Sequence, residues 1–289
     1  MDVCPYCNSK LVKKEGKRKL KYSIIQKYRC LDCNKYFADK DIRHKSYPAK
    51  IILNTISTYN LGYTLEQTKK EIAKRFHIRI PESTIHSWIK QYSDVCTFYR
   101  LREQAIKFHK PEEMIFSHNI QHNQIYKYQL HKAKFDLLSK ELQPQKFQLL
   151  KAYIEKIPTG EFPHHIFQPK QDMELPELAR SSQIKFDTFE VLREEKQNLA
   201  NLLASLGLQL AKTNKERHEA IQNFMITNDS VSVACEVPVF LTGDDIKYFN
   251  MRPGFNLPLD NYQTPITGHI DALQIRNGLI HILDYKPDA

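Results

Sequence analysis

From Tyr47 the apolar positions of YPAKIILNTISTYNLG recur at helical spacing, with Pro48 near the start and Gly62 past the end. Thr64-Leu65-Glu66-Gln67 is a capping-box sequence that opens a second helix, TLEQTKKEIAKRFH. The short link IRIPE leads to a third, STIHSWIKQY, with Ser83 or Glu82 at its cap and Ile85, Trp88 and Ile89 on its apolar side. Upstream, KYSIIQKYRC has strand composition. Downstream, YRLREQAIKFHK and the long stretch from Asn123 to Ile157 read as basic, aromatic-rich helices. PTGEFPHHIFQPKQDMELPELARSS, which holds His164 and His165, reads as a linker or long loop. Two more helices follow, broken near Thr213-Asn214. SVSVACEVPVFL then reads as a strand, and PITGHIDALQIR with GLIHILDYK as a hairpin turning at Asn277-Gly278. The pattern predicts an α+β, multidomain chain.

Cysteine changes the picture at the N-terminus. Four of the six cysteines form two C-x-x-C pairs, Cys4/Cys7 and Cys30/Cys33. Each pair sets two thiols on a tight knuckle, and two knuckles complete a tetrahedral zinc site. Residues 1–45 therefore read as a zinc ribbon, a module with so little core that the metal supplies much of its stability. Cys96 and Cys235 stand alone and read as buried small side chains. His109, His118, His122 and His131 follow no ligand spacing and read as helix-surface residues.

Charge adds a partner. The chain of 289 residues carries a net charge of +10, and residues 1–50 hold 14 Lys/Arg against 5 acids. A surplus so concentrated favours a polyanion. Lys17, Arg18 and Lys19 mark a basic hairpin tip. Residues 46–95, helix then short connection then helix, suggest a helix-turn-helix. In that motif the third helix turns Ser83, Thr84, His86, Ser87 and Lys90 toward DNA. CPYCNS, YRCLDCNKYF, YPAKIILNTISTYNLGYTLEQT and STIHSWIKQY together resemble the N-terminal DNA-binding region of insertion-sequence transposases. The resemblance covers about the first third of the chain and implies DNA binding. Nothing after residue 100 has the order of acids that a transposase core requires, so it carries no transposition.

The last stretch carries chemistry. GHID at 268–271 and DYK at 284–286 place Asp271 on one strand and Asp284 and Lys286 at the end of the next, two residues apart and so on one face. Two carboxylates are hard oxygen ligands for Mg²⁺ or Mn²⁺, and a lysine can orient water and offset charge developing on a phosphate. These residues, with CEVPVFL as the preceding strand, resemble the RecB-like branch of the PD-(D/E)XK nucleases over roughly the last 80 residues. The resemblance implies an αβββ restriction-endonuclease-like core over 181–289, after a helical connector and linker over 96–180. It makes Asp271, Asp284 and the Tyr285 carbonyl metal ligands and Lys286 catalytic. From the preceding helix it asks for a His or Glu: His218 fits best, Glu219 is adjacent, and Glu236 on the first strand is a third candidate. In that branch a further helix follows the DYK motif, whereas three residues follow it here.

The expectation is a cytoplasmic, metal-dependent DNA nuclease, endo- or exonucleolytic, targeted by its N-terminal module. Structural Zn²⁺ and catalytic Mg²⁺ or Mn²⁺ are the expected cofactors, DNA the partner, and a second copy of the chain a further candidate. The alternative is a non-catalytic DNA-binding regulator derived from a transposase, with a degenerate nuclease domain.

Overall fold

The computed structural model describes residues 3–19, 24–38, 47–122, 124–167, 179–181, 197–213, 216–253 and 265–286. Among them are ten α-helices and nine strands, in two sheets that are antiparallel apart from one two-residue pairing. No helix among these residues is long and apolar enough to cross a membrane. The chain divides into two compact units, residues 1–59 with 64–90 and residues 60–63 with 91–289.

The first unit opens with β1 (Val12–Lys19), β2 (Ile24–Cys30) and β3 (Tyr36–Ala38), paired in that order. Alternation sends Tyr28 and Phe37, cross-strand partners, to one face, where their rings stack at 5.6 Å beside buried Cys4 and Cys30. Three helices follow: α1 (Ala49–Asn60), α2 (Leu65–Phe76) and α3 (Glu82–Gln91). Thr64 and Gln67 form the expected capping box at α2, and Gly62 takes a φ of +110° just past α1. α3 begins at Glu82 and the Pro81 carbonyl accepts its first N–H bonds, so Glu82 and Ser83 both lie inside the first turn and neither is the cap. Ile85 and Trp88 are buried as expected.

The second unit begins with α4 (Tyr99–Phe108) and then departs from the expected helical connector. Ile115–His122 and Gln124–His131 are strands β4 and β5, an antiparallel hairpin. Its alternation is legible in hindsight: Tyr126, Tyr128 and Leu130 line one side of β5. The turn carries no Gly or Pro, so the usual hairpin signal is missing. Helices α5 (Lys132–Leu138), α6 (Pro144–Thr159) and α7 (His164–Phe167) follow. His164 and His165 are thus helical, and Phe162, Ile166 and Phe167 belong to the main core rather than to a linker. Most of the rest of that stretch, and the first part of the helix expected from Phe186, through residue 196, lie outside the described residues.

The remaining elements are β6 (Ala179–Arg180), α8 (Leu199–Leu208), α9 (Arg217–Asn228), β7 (Ser232–Leu241), α10 (Gly243–Asn250), β8 (Ile266–Arg276) and β9 (Leu279–Leu283). The sheet runs β4-β5-β7-β8, with β6 and β9 both on the far side of β8. α10 interrupts the expected helix-strand-strand-strand order. Thr242 and Asp245 form a capping box there, a T-x-x-D signal present in the sequence. Asn277 and Gly278, at φ +53° and +67°, make the expected two-residue turn between β8 and β9. α8 lies so close to α9 that a Cβ on Gly207 would sit 2.9 Å from the Ile221 Cα.

A buried ion pair ties the early hairpin to the later elements. Lys134 of α5 is wholly buried. Its ammonium donates to the Ile226 carbonyl (2.7 Å), the Ser232 carbonyl (3.2 Å) and Asp229 Oδ1 (3.2 Å). Asp229 in turn accepts from the Val231 and Ser232 N–H groups. Three protons meet three acceptors, so the buried charge is fully satisfied. Residues from α5, the end of α9 and the start of β7 share one polar knot.

Candidate metal centres

The first centre is built from local turns. CPYCN and CLDCN are near-copies, and each ends on an asparagine in the left-handed region, Asn8 at φ +57° and Asn34 at φ +56°. Asparagine tolerates that conformation, which folds each knuckle back on itself. The Tyr6 N–H points at Cys4 Sγ, 3.4 Å away. Cys4 Sγ lies 3.7 Å from Cys33 Sγ, and Cys7 Sγ lies 3.6 Å from Cys30 Sγ. All four sulfurs are within 4.8 Å of one another. Those separations are far too long for disulfides. They match the edge of a tetrahedron with metal–sulfur bonds of about 2.3 Å, which is about 3.8 Å. N–H groups of Cys33 and Asp32 lower Cys30 to about 7. The Ser9 N–H pulls Cys7 down, but burial and the three other thiols overcome it and push Cys7 up to about 12. Four thiolates cannot coexist there without a cation, so the donor set fits structural zinc.

The basic residues of β1 and the outer residues of α3 are open to solvent. Lys17, Arg18 and Lys19 are exposed and pair in register with Gln26, Ile25 and Ile24. Ser83, His86, Ser87 and Lys90 are also exposed, at spacings of three and four residues that share one helix face. Thr84 is half-buried beside them.

The second centre is assembled from distant elements. β8 carries Asp271, which register places between Glu236 of β7 and Asp284 just past β9. α9 supplies His218, whose Nε2 lies 2.8 Å from Asp271 Oδ2. The Tyr285 N–H donates to the same oxygen at 2.9 Å. One ligand atom each from His218, Glu236 and Asp271 fall within 4.8 Å of one another. Lys286 Nζ pairs with Asp284 Oδ2 at 2.9 Å, so the pair expected to share a face does meet, although β9 ends at Leu283. The first-choice helix residue is in place and the third-choice strand residue joins it. Glu219 is not part of the cluster: it is exposed and faces Lys127, at 3.8 Å, and Asn223. Adjacent residues of a helix differ by about 100°, so His218 and Glu219 cannot serve one point.

Glu236 owes its place to the backbone. In a regular strand Cys235 and Glu236 would point to opposite faces. Here both meet Gln222 of α9: the Cys235 thiol at its carbonyl (3.8 Å) and the Glu236 carboxylate at its side chain. Glu236 sits at φ +50°, a strained value for a non-glycine residue, and there the alternation is broken. Gln222, one turn beyond His218, was not singled out from the sequence. Its amide donates to Glu236 Oε1 (2.6 Å) and to the Asp271 carbonyl (3.1 Å), gripping both strands at once. The i, i+4 spacing of His218 and Gln222 was the available signal.

The electrostatics are those of crowded acids. Burial raises Asp271, but hydrogen bonds from His218, Asp284 and the Tyr285 N–H outweigh it and lower Asp271 to about 2. Burial and the bond to Asp271 raise Asp284 despite Lys286. Burial raises Glu236, against the Gln222 bond that lowers it. The hydrogen bond to Asp271 raises His218 against its own desolvation. Neighbouring carboxylates that cannot all ionise would be relieved by a divalent cation, which the His218, Glu236 and Asp271 ligand atoms are close enough to share. Lys286 is raised by its bond to Asp284 and stays a cation.

No family model, no curated protein and no solved structure matches the chain.

Proposed function

We propose that the chain is a DNA-binding, metal-dependent nuclease that hydrolyses phosphodiester bonds. The observation that carries this reading is the convergence of His218, Glu236 and Asp271 within 4.8 Å, beside an Asp284–Lys286 pair. That set agrees with the resemblance of GHID and DYK to RecB-like nucleases. His218, Glu236 and Asp271 would hold the ion, with Asp284 at its margin. A divalent cation bound there supplies Lewis-acid stabilisation of a scissile phosphate and a water of lowered pKa. The chain's own side chains do the rest. Lys286, two-thirds exposed, brings a cation to where negative charge grows on the phosphate oxygens. Asp284 holds that ammonium near the cluster. Gln222 fixes Glu236 and the Asp271 backbone in place before substrate arrives.

The N-terminal unit is assigned to targeting. A four-cysteine zinc ribbon holds the basic β1 hairpin, and the outer face of α3 meets DNA as a helix-turn-helix would. Affinity set by Lys17, Arg18 and Lys19 falls steeply with salt, because phosphate contacts release counterions.

The test is cleavage of labelled DNA by the full chain with Mg²⁺, Mn²⁺ or Ca²⁺. Mg²⁺ or Mn²⁺ is expected to support it and Ca²⁺ to bind without supporting it. Lys286→Ala should lower the rate by about 10²-fold or more while DNA binding persists. DNA binding with no cleavage in any metal would replace this reading with that of a non-catalytic DNA-binding regulator.

A further inference from the structure

The β1–β3 sheet has two faces, and the thiol cluster uses only one. Tyr28 and Phe37 turn inward, so their sequence neighbours turn outward. Register sets Lys13, Arg29 and Tyr36 in one cross-strand row on the outer side, with Lys27 two residues along β2. Tyr36 is 49% exposed, and Lys27 Nζ and the Arg29 guanidinium carbon lie 4.4 Å and 5.7 Å from its ring centroid. Arg29 is held across the sheet by a 3.1 Å bond to Asn34 Oδ1, the left-handed knuckle residue. In the other knuckle the exposed Tyr6 ring has Lys35 Nζ at 4.9 Å. The three strands carry seven Lys/Arg and one acid, Glu15.

A single exposed tyrosine needs no explanation. Two solvent-facing rings, each with a cation beside it on so basic a sheet, form a different surface. Duplex DNA offers phosphates and groove edges, and its base faces are already stacked on one another. A ring on an open sheet can add a stacking contact only to an unpaired base, while flanking cations hold the phosphates on either side. We infer that the outer face of the β1–β3 sheet binds single-stranded DNA, with a base stacked on Tyr36 and phosphates on Lys13, Lys27 and Arg29. This rests on the nucleic-acid reading of the N-terminal unit. It adds a second surface with a different preference from Lys17, Arg18, Lys19 and α3.

The experiment uses the full chain with its zinc content verified, and one labelled DNA sequence offered single-stranded and as a duplex. Tyr36→Ala should weaken single-strand binding about 5- to 150-fold, the range for loss of one stacked base, and change duplex binding less than about twofold. Tyr36→Phe keeps the ring and should bind like wild type. Lys27→Ala with Arg29→Ala should reduce the salt slope on the single strand by about 0.7 per lost phosphate contact. The inference is overturned if zinc-replete Tyr36→Ala binds single strands like wild type, or loses both forms equally. Wild type that binds duplex alone also overturns it and leaves the targeting role intact. Wild type that binds neither form removes both.

Discussion

The two candidate metal centres differ in how far the chain must travel to build them. Cys4, Cys7, Cys30 and Cys33 meet through two four-residue knuckles and one hairpin. His218, Glu236 and Asp271 come from a helix and two strands, and meet only because α9 packs against a finished sheet. The thiol cluster is closed, with four donors for four positions. The second is open, with three donors within 4.8 Å of one another and the Asp284–Lys286 pair beside them. Closed sites hold a module together, and open ones leave room for a substrate. A local site also writes itself into sequence spacing, whereas an assembled one does so only in fragments.

The strongest way to break this contrast is to remove a knuckle ligand. Cys30→Ser should abolish stoichiometric zinc and unfold the β1–β3 sheet. Four-ligand zinc peptides draw about 10–16 kcal/mol of apparent folding free energy from the metal. Heteronuclear NMR is expected to lose the dispersed signals of strands β1 to β3 and keep those of the helices and strands from α4 to β9. A folded, zinc-free sheet would show that the cluster is not structural.

Next comes the charge at two acids, Asp229, which is buried, and Asp284, which is exposed. Lys134→Met strands Asp229 in the interior and should cost about 3–5 kcal/mol in urea unfolding. Asp284→Asn removes a carboxylate that crowding already pushes toward its neutral form, so the midpoint should stay at or above wild type. If Asp284→Asn is as damaging as Lys134→Met, the open cluster is structural too.

The smallest effect concerns Gln222 and pH. Gln222→Met removes both amide donors and should weaken Mn²⁺ binding about 10- to 100-fold, read by calorimetry, without unfolding the chain. The pH dependence has a definite sign. His218, Glu236 and Asp284 all hold protons to higher pH than usual, and each must lose its proton to serve a cation. Mn²⁺ affinity therefore rises with pH through the neutral range and protons are released on binding. Asp271, lowered to about 2, stays ionised throughout and adds no slope. Affinity flat from acid to neutral pH would mean the ion sits elsewhere.

What the sequence disclosed follows the same division. The capping box at Thr64, the Asn277-Gly278 turn and the paired cysteines are short-range signals, and each is where spacing placed it. β5 lies within the basic, aromatic-rich stretch that reads as helix, β4 falls inside the expected helical connector, and no Gly or Pro between them signals a hairpin. α10 carries its own cap at Thr242, in a short stretch that follows directly on β7. At the assembled centre, Asp271, Asp284 and Lys286 were legible from alternation. Glu236 was legible only as a rival, because alternation fails at the left-handed residue that makes it a partner. Gln222 is chemically plain, and only the packing of α9 gives it a role.

The Lys134 knot has a practical side. A fragment cut at residue 181, where the chain first looks divisible, would keep Asp229 and discard its cation. It would also strip β5 from the side of β7, leaving Cys235 and Ala234 without their ladder partners. Such a piece should be insoluble or aggregate when expressed, and a piece beginning near residue 91 should not. Protease mapping of the intact chain should find its durable C-terminal product starting close to that point.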